Sequence, residues 1–123
     1  MTDLENEKCH IRWMIRRDMP HILNIEQKSY KFLWNEGDFL SYLRQRNCIW
    51  RVAEKGKQVC GFMIYERHPE KYNILNIAVH PDHRRNGVGT KMIEELIQEP
   101  SLIKRTSIYL EVKESNLKAQ LFF

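Results

Sequence analysis

Residues 73–112 hold three elements in an order that leaves few folds open. "NILNIAVH" (73–80) is a largely apolar run, of the kind a strand carries when both its faces are covered. "RRNGVGT" (84–90) then opens a segment that places Val88, Met92, Ile93, Leu96 and Ile97 on one helical face, with Glu94 and Glu95 outside it. Pro100 stops that helix, and "SIYLEV" (107–112) reads as another strand. Strand, glycine turn, helix and strand make a β-α-β unit, so at least part of the sheet must be parallel.

The remaining elements are fitted around that unit. In "HIRWMIR" (10–16), Ile11, Trp13 and Ile15 alternate with polar residues, which predicts a strand. Asp18 and Pro20 mark the start of a helix running to about Tyr30 and burying Met19, Ile22 and Leu23. "NEGDFLSYLRQR" (35–46) predicts a second helix seated on Phe39, Leu40 and Leu43. "IWRVAEKGKQVCGFMIYERH" (49–68) predicts a hairpin turning at Gly56. "NLKAQLFF" (116–123) begins a further helix. The predicted order is β-α-α-β-β-β-α-β-α. This is an α/β (α+β) class with a mixed, partly parallel central sheet flanked by helices.

A length of 123 residues suits one domain with one core. No apolar run approaches the roughly 20 residues of a membrane helix, so no membrane partner is expected. "MTDLENEKCH" lacks the apolar centre of a signal peptide, which makes the cytoplasm the expected location. Cys9, Cys48 and Cys60 are widely spaced, and the pair His80 and His83 has no accompanying Cys or acidic cluster, so no metal site is expected. The net charge of +4 is spread along the chain rather than gathered in a stripe, so direct nucleic-acid binding is not expected.

The chemistry concentrates in "RRNGVGT". A helix N-terminus offers unpaired N–H groups and partial positive charge to an anion. Gly87 and Gly89 let phosphate oxygens approach the backbone, Arg84 and Arg85 add charge, and Thr90 offers a hydroxyl. A Walker loop needs a longer glycine-rich stretch ending in Lys-Ser/Thr, and a dinucleotide fingerprint needs a third glycine where Met92 stands. A plain turn with solvated arginines remains open on these residues alone.

Arg84-x-x-Gly87-x-Gly89 resembles the R/Q-x-x-G-x-G/A motif of the GNAT superfamily of N-acetyltransferases, and "NIAVHPDHRRNGVGT" (76–90) is similar to that family's strand-and-loop segment throughout. The resemblance implies acetyl-CoA as co-substrate, with its pyrophosphate on the loop formed by Arg84, Arg85, Asn86, Gly87, Val88, Gly89 and Thr90. It also implies that backbone groups of Ile77, Ala78 and Val79 line the acetyl and pantetheine arm. Two further stretches resemble the bacterial ribosomal-protein-alanine N-acetyltransferases, the RimI type. One is "NIEQKSYKFLWNEGDF" (24–39), at Ile25, Glu26, Gln27, Phe32, Trp34, Glu36 and Phe39, with Leu33 in place of the usual proline. The other is "YLEVKESN" (109–116). The similarity runs from about residue 12 onward.

That resemblance implies an enzyme that acetylates the N-terminal amine of a protein or peptide, foremost a ribosomal protein. It implies Glu111 as general base, through water, and Asn116 as a coenzyme contact. Read from pattern alone, Glu111 is equally an outward-facing strand residue and Asn116 a helix cap. Phe32, Trp34 and Glu36 are candidates for acceptor recognition, although aromatics between helices often simply pack. Phe123 falls where the family has an acid tyrosine, and phenylalanine donates no proton. Relatives continue beyond that point, so the expectation is a single domain over residues 1–123 lacking the family's last strands, with a partner chain, as in a homodimer, one way to complete it. The alternatives are a GNAT enzyme for a small amine or lysine and a non-catalytic coenzyme-A-binding module.

Overall fold

The computed structural model describes residues 9–30, 34–98 and 107–110. Five strands form one sheet in the order β1-β2-β3-β4-β5: β1 (Cys9–Trp13), β2 (Cys48–Lys55), β3 (Gln58–Arg67), β4 (Lys71–Val79) and β5 (Ser107–Leu110). The first three pairings are antiparallel and β4–β5 is parallel. The helices are α1 (Met19–Ser29), α2 (Glu36–Leu43) and α3 (Val88–Ile97). The mixed, partly parallel sheet is the expected fold class, and β4, α3 and β5 are its β-α-β unit. The predicted helix over 116–123 lies outside the described residues.

Helices cover both faces of the sheet. Phe39 of α2 meets the rings of Trp50 at 5.6 Å and Phe62 at 6.0 Å. Gly61, one residue back on β3 and therefore on the opposite face, looks at α3. A Cβ there would stand 3.0 Å from the Ala78 carbonyl oxygen, 3.2 Å from Met92 and 3.3 Å from Val88. Glycine at 61 is what lets the start of α3 press against β3 and β4. With both faces covered, every residue of β4 from Tyr72 to Val79 is buried.

The hairpin turns at Gly56, in the left-handed region with φ 64°. The strand β1 ends at Trp13, and Ile15 lies beyond it, 43% exposed. Trp13 is 59% exposed and lies under the Arg51 guanidinium at 4.6 Å, so the predicted alternation does not bury it. Asp18 does mark the start of α1, but its side chain serves the turn before the helix. It accepts from the Ile15 N–H at 2.8 Å and pairs with Arg12 through two bonds of 2.9 Å. Burial alone would raise the Asp18 carboxyl; Arg12 and the Ile15 N–H outweigh it and hold its pKa below the ordinary value.

Three helix-face expectations are corrected. Leu40 and Leu43 of α2 are 36% and 39% exposed, because Phe39 and Tyr42 supply the inward face. Ile97, in the last turn of α3, is 51% exposed, while Val88, Met92 and Leu96 are buried. Leu23 is half-buried, and α1 buries Met19, Ile22, Ile25, Glu26 and Ser29. No helix of the described residues is long and apolar enough to cross a membrane.

Candidate active site

The site is built on the second half of β4. Between β3 and β4 the register steps from Ile64↔Asn76 to Tyr65↔Ile74, so Leu75 is an extra residue, a β-bulge. A bulge bends its strand and re-aims the residues on its far side. On the other edge, the described ladder to β5 runs from Lys71↔Ser107 to Ile74↔Leu110.

Past the bend, backbone carbonyls on the β5 side are met by side chains. The His80 N–H donates to the Cys60 carbonyl at 2.8 Å, so residue 80 faces β3 and residues 79 and 77, by alternation, face away. The Val79 carbonyl accepts from Arg84 Nε at 3.0 Å. The Ile77 carbonyl accepts from the buried Tyr30 hydroxyl. With these acceptors occupied, the Ile77 N–H, which also faces away from β3, is a donor suited to an extended ligand rich in carbonyl groups.

The loop after β4 leads into α3. Pro81–His83 form a single 3₁₀ turn, with His80 Nδ1 accepting from the Asp82 N–H at 3.1 Å. Burial lowers the His80 pKa; Asp82 opposes this, while Lys28, His83 and Arg84 reinforce it. Arg85 and Gly87 both have positive φ, 69° and 77°. Gly87 is the N-cap of α3, and no side chain caps that end. A Cβ on Gly87 would meet nothing within 4 Å, so the need for glycine there is its positive φ and not crowding. Arg85, Asn86 and Gly87 are exposed, Val88 and Gly89 are buried, and Thr90 is half-buried. An open groove continues along the outer face of α3, lined by Gly87, Thr90, Lys91, Glu94, Glu95 and Gln98.

Not every expected residue joins this arrangement. Charge alone assigns Arg84 to the anion. Its Nε instead holds the Val79 carbonyl and its Nη2 the Ser29 hydroxyl at 3.2 Å, so it ties β4 to α1 and shapes the loop. Burial lowers its pKa from the usual arginine value. Of the residues named for the acceptor, Trp34 stacks on Tyr42 at 4.8 Å and tilts against Phe39 at 5.1 Å. Glu36 is exposed in the first turn of α2, where a carboxylate suits the helix dipole. Phe32, Glu111, Asn116 and Phe123 lie outside the described residues. Among the described residues no group of three or more His, Cys, Asp or Glu is set to hold a metal ion.

Two residues close to the site have roles that the motifs do not reveal, although Glu26 lies within the RimI-like segment. Glu26 is 2% exposed, and its carboxylate accepts from the Trp34 N–H and from Asn76 Nδ2, each at 2.9 Å. Tyr30, one turn later, reaches the Ile77 carbonyl. The available signal was polarity out of place: a glutamate on the same helical face as Ile22, Ile25 and Ser29, and an asparagine inside "NILNIAV".

A strand with occupied carbonyls beside an uncapped, glycine-opened helix start fits a coenzyme with an extended amide arm and a diphosphate. Similarity to known proteins agrees. The acetyltransferase (GNAT) family matches residues 19–123, and the chain belongs to that family. Among its relatives is the ribosomal protein bS18-alanine N-acetyltransferase of Escherichia coli K12, 33% identical over 102 residues, or 83% of this chain and 68% of the relative. The crystal structure of the E. coli ribosomal-protein-S18-alanine N-acetyltransferase superposes with a TM-score of 0.79 at 28% identity, covering 91% of this chain and 72% of that one. Ard1 from Thermoplasma volcanium shares the fold, with a TM-score of 0.78 at 24% identity over 90% of this chain and 76% of its own.

Proposed function

We propose that this protein transfers the acetyl group of acetyl-CoA to the N-terminal alanine amine of a ribosomal protein of the bS18 kind. The observation that carries the coenzyme half of this reading is the β4 edge, where Tyr30 and Arg84 occupy the Ile77 and Val79 carbonyls beside the uncapped start of α3. The acceptor half rests on the 33% identity to the E. coli bS18-alanine enzyme. A cytoplasmic location, where ribosomal proteins are made, accords with both.

In this reading the backbone groups of Ile77 and Val79 receive the acetyl and pantetheine arm, while those of Ala78 between them are turned to β3. The amides of Asn86, Gly87, Val88, Gly89 and Thr90 hold the pyrophosphate, with Arg85 adding charge from the exposed side of the loop. Arg84 acts on the coenzyme through the Val79 carbonyl that it fixes. The neutral acceptor amine places its lone pair on the thioester carbonyl carbon, and a β4 N–H steadies the oxygen as it becomes negative. The C–S bond then breaks, and coenzyme A leaves as a thiolate with the bonding pair. Glu111 takes the amine proton through water. Phe123, where the family has an acid tyrosine, leaves the thiolate to be protonated by solvent. Asn116 contacts the coenzyme, and Phe32, Trp34 and Glu36 flank the acceptor.

The test is thiol release from acetyl-CoA in the presence of a peptide bearing the bS18 N-terminus. Acceptor-dependent release is expected, with a kcat about a hundredfold lower in Glu111→Gln, the size of a typical general-base contribution. Release that ignores the peptide, or an unaltered Glu111→Gln rate, contradicts the reading.

A further inference from the structure

The buried carboxylate of Glu26 has no part in the chemistry above. Its surroundings nonetheless connect the two substrates' sides of the site. One oxygen accepts from the backbone N–H of Trp34, in the segment that leads from α1 to α2. The other accepts from Asn76, the residue between the Leu75 bulge and Ile77. One turn further along α1, Tyr30 holds the Ile77 carbonyl. The last turn of α1 and the residue that caps it thus grip consecutive residues of β4, and the Glu26 grip also reaches the acceptor-side segment.

We propose that Glu26 is a positioning residue that sets the acceptor-side segment at Trp34 in register with the ligand-facing half of β4. This inference rests on the acetyltransferase reading above. The Trp34 N–H needs an acceptor at residue 26, and the Asn76 amide needs a polar partner there. Neither bond requires a proton to move. Trp34 is also braced on Tyr42 and Phe39, so losing the Glu26 bond shifts the segment's backbone rather than unfolding α2.

This role predicts a split that a merely structural residue would not show. In Glu26→Leu, the acceptor-peptide KM rises by about tenfold, the effect of one lost hydrogen bond. The affinity for coenzyme A, measured by calorimetry, stays within about twofold, because Tyr30 and Arg84 still hold the Ile77 and Val79 carbonyls and the loop is untouched. Glu26→Gln restores the peptide KM to near the wild-type value. Its amide oxygen accepts from Trp34 and its NH2 donates to an Asn76 amide turned end for end. Asn76→Ala, which cuts one arm only, raises the peptide KM in the same direction by less and serves should Glu26→Leu fail to fold. The proposal is overturned by an unchanged peptide KM in both Glu26→Leu and Asn76→Ala, by coenzyme affinity falling in parallel with the peptide KM rise, or by Glu26→Gln behaving like Glu26→Leu, which would make the charge itself the working part. If the wild-type protein transfers nothing to the peptide, the reading of function falls and this inference with it. If it transfers and the variants match it, only the inference falls.

Discussion

From Lys71 to Ile74, β4 is paired on both edges, to β3 and to β5. From Asn76 to Val79 it is paired to β3, while the carbonyls of Ile77 and Val79 on the other edge are held by Tyr30 and Arg84. A backbone ladder is indifferent to most side chains, since any residue other than proline carries the same N–H and C=O. Side-chain caps are specific, since each depends on one atom of one residue. The first half is therefore expected to feel substitutions as packing and the second half to feel them as chemistry. The Leu75 bulge marks the change from one regime to the other.

The largest effect is expected in the first half. Tyr72 is fully buried, and Tyr72→Ala should cost about 3–5 kcal/mol in denaturant unfolding, as large-to-small aromatic changes in a core do. The folded fraction should keep its coenzyme affinity. A matching loss of affinity would mean that the two halves are not separate in function. Gly61→Ala comes next. Its new Cβ presses on the Ala78 carbonyl, Met92 and Val88, and should cost about 1–3 kcal/mol while also weakening coenzyme binding, because the start of α3 is pushed off β4. Lost stability with unchanged affinity would show that the close approach of α3 matters to packing alone. Tyr30→Phe has the smallest effect on stability, about 1 kcal/mol for one hydrogen bond, yet it should weaken coenzyme binding about fivefold. A tyrosine hydroxyl that mattered only to folding would leave calorimetric affinity unmoved.

Much of the architecture is legible in the chain itself. The apolar run 73–80, the glycines at 87 and 89 and the amphipathic run after them together require a parallel β-α-β unit, because that arrangement buries the strand on both sides. Short helices are less legible. Over the eight residues of α2, a face on Phe39, Leu40 and Leu43 and a face on Phe39 and Tyr42 are equally periodic, and Trp34 stacking on Tyr42 decides between them. Arg84 shows a different limit. Its place in the motif is plain, but its contacts with Val79 and Ser29 depend on where α1 lies. The bond between Glu26 and Asn76 joins residues 50 apart in sequence, and each alone is only a polar residue in an apolar pattern.

The second half of β4, and not the first, is the part expected to meet the coenzyme through its backbone. Amide-resolved NMR of the protein titrated with coenzyme A tests this directly. The Ile77 N–H, with its resonance and its hydrogen exchange, should respond together with the amides of residues 86–90, and that of Tyr72 should stay still. Binding that left Ile77 and the loop amides unmoved would contradict it.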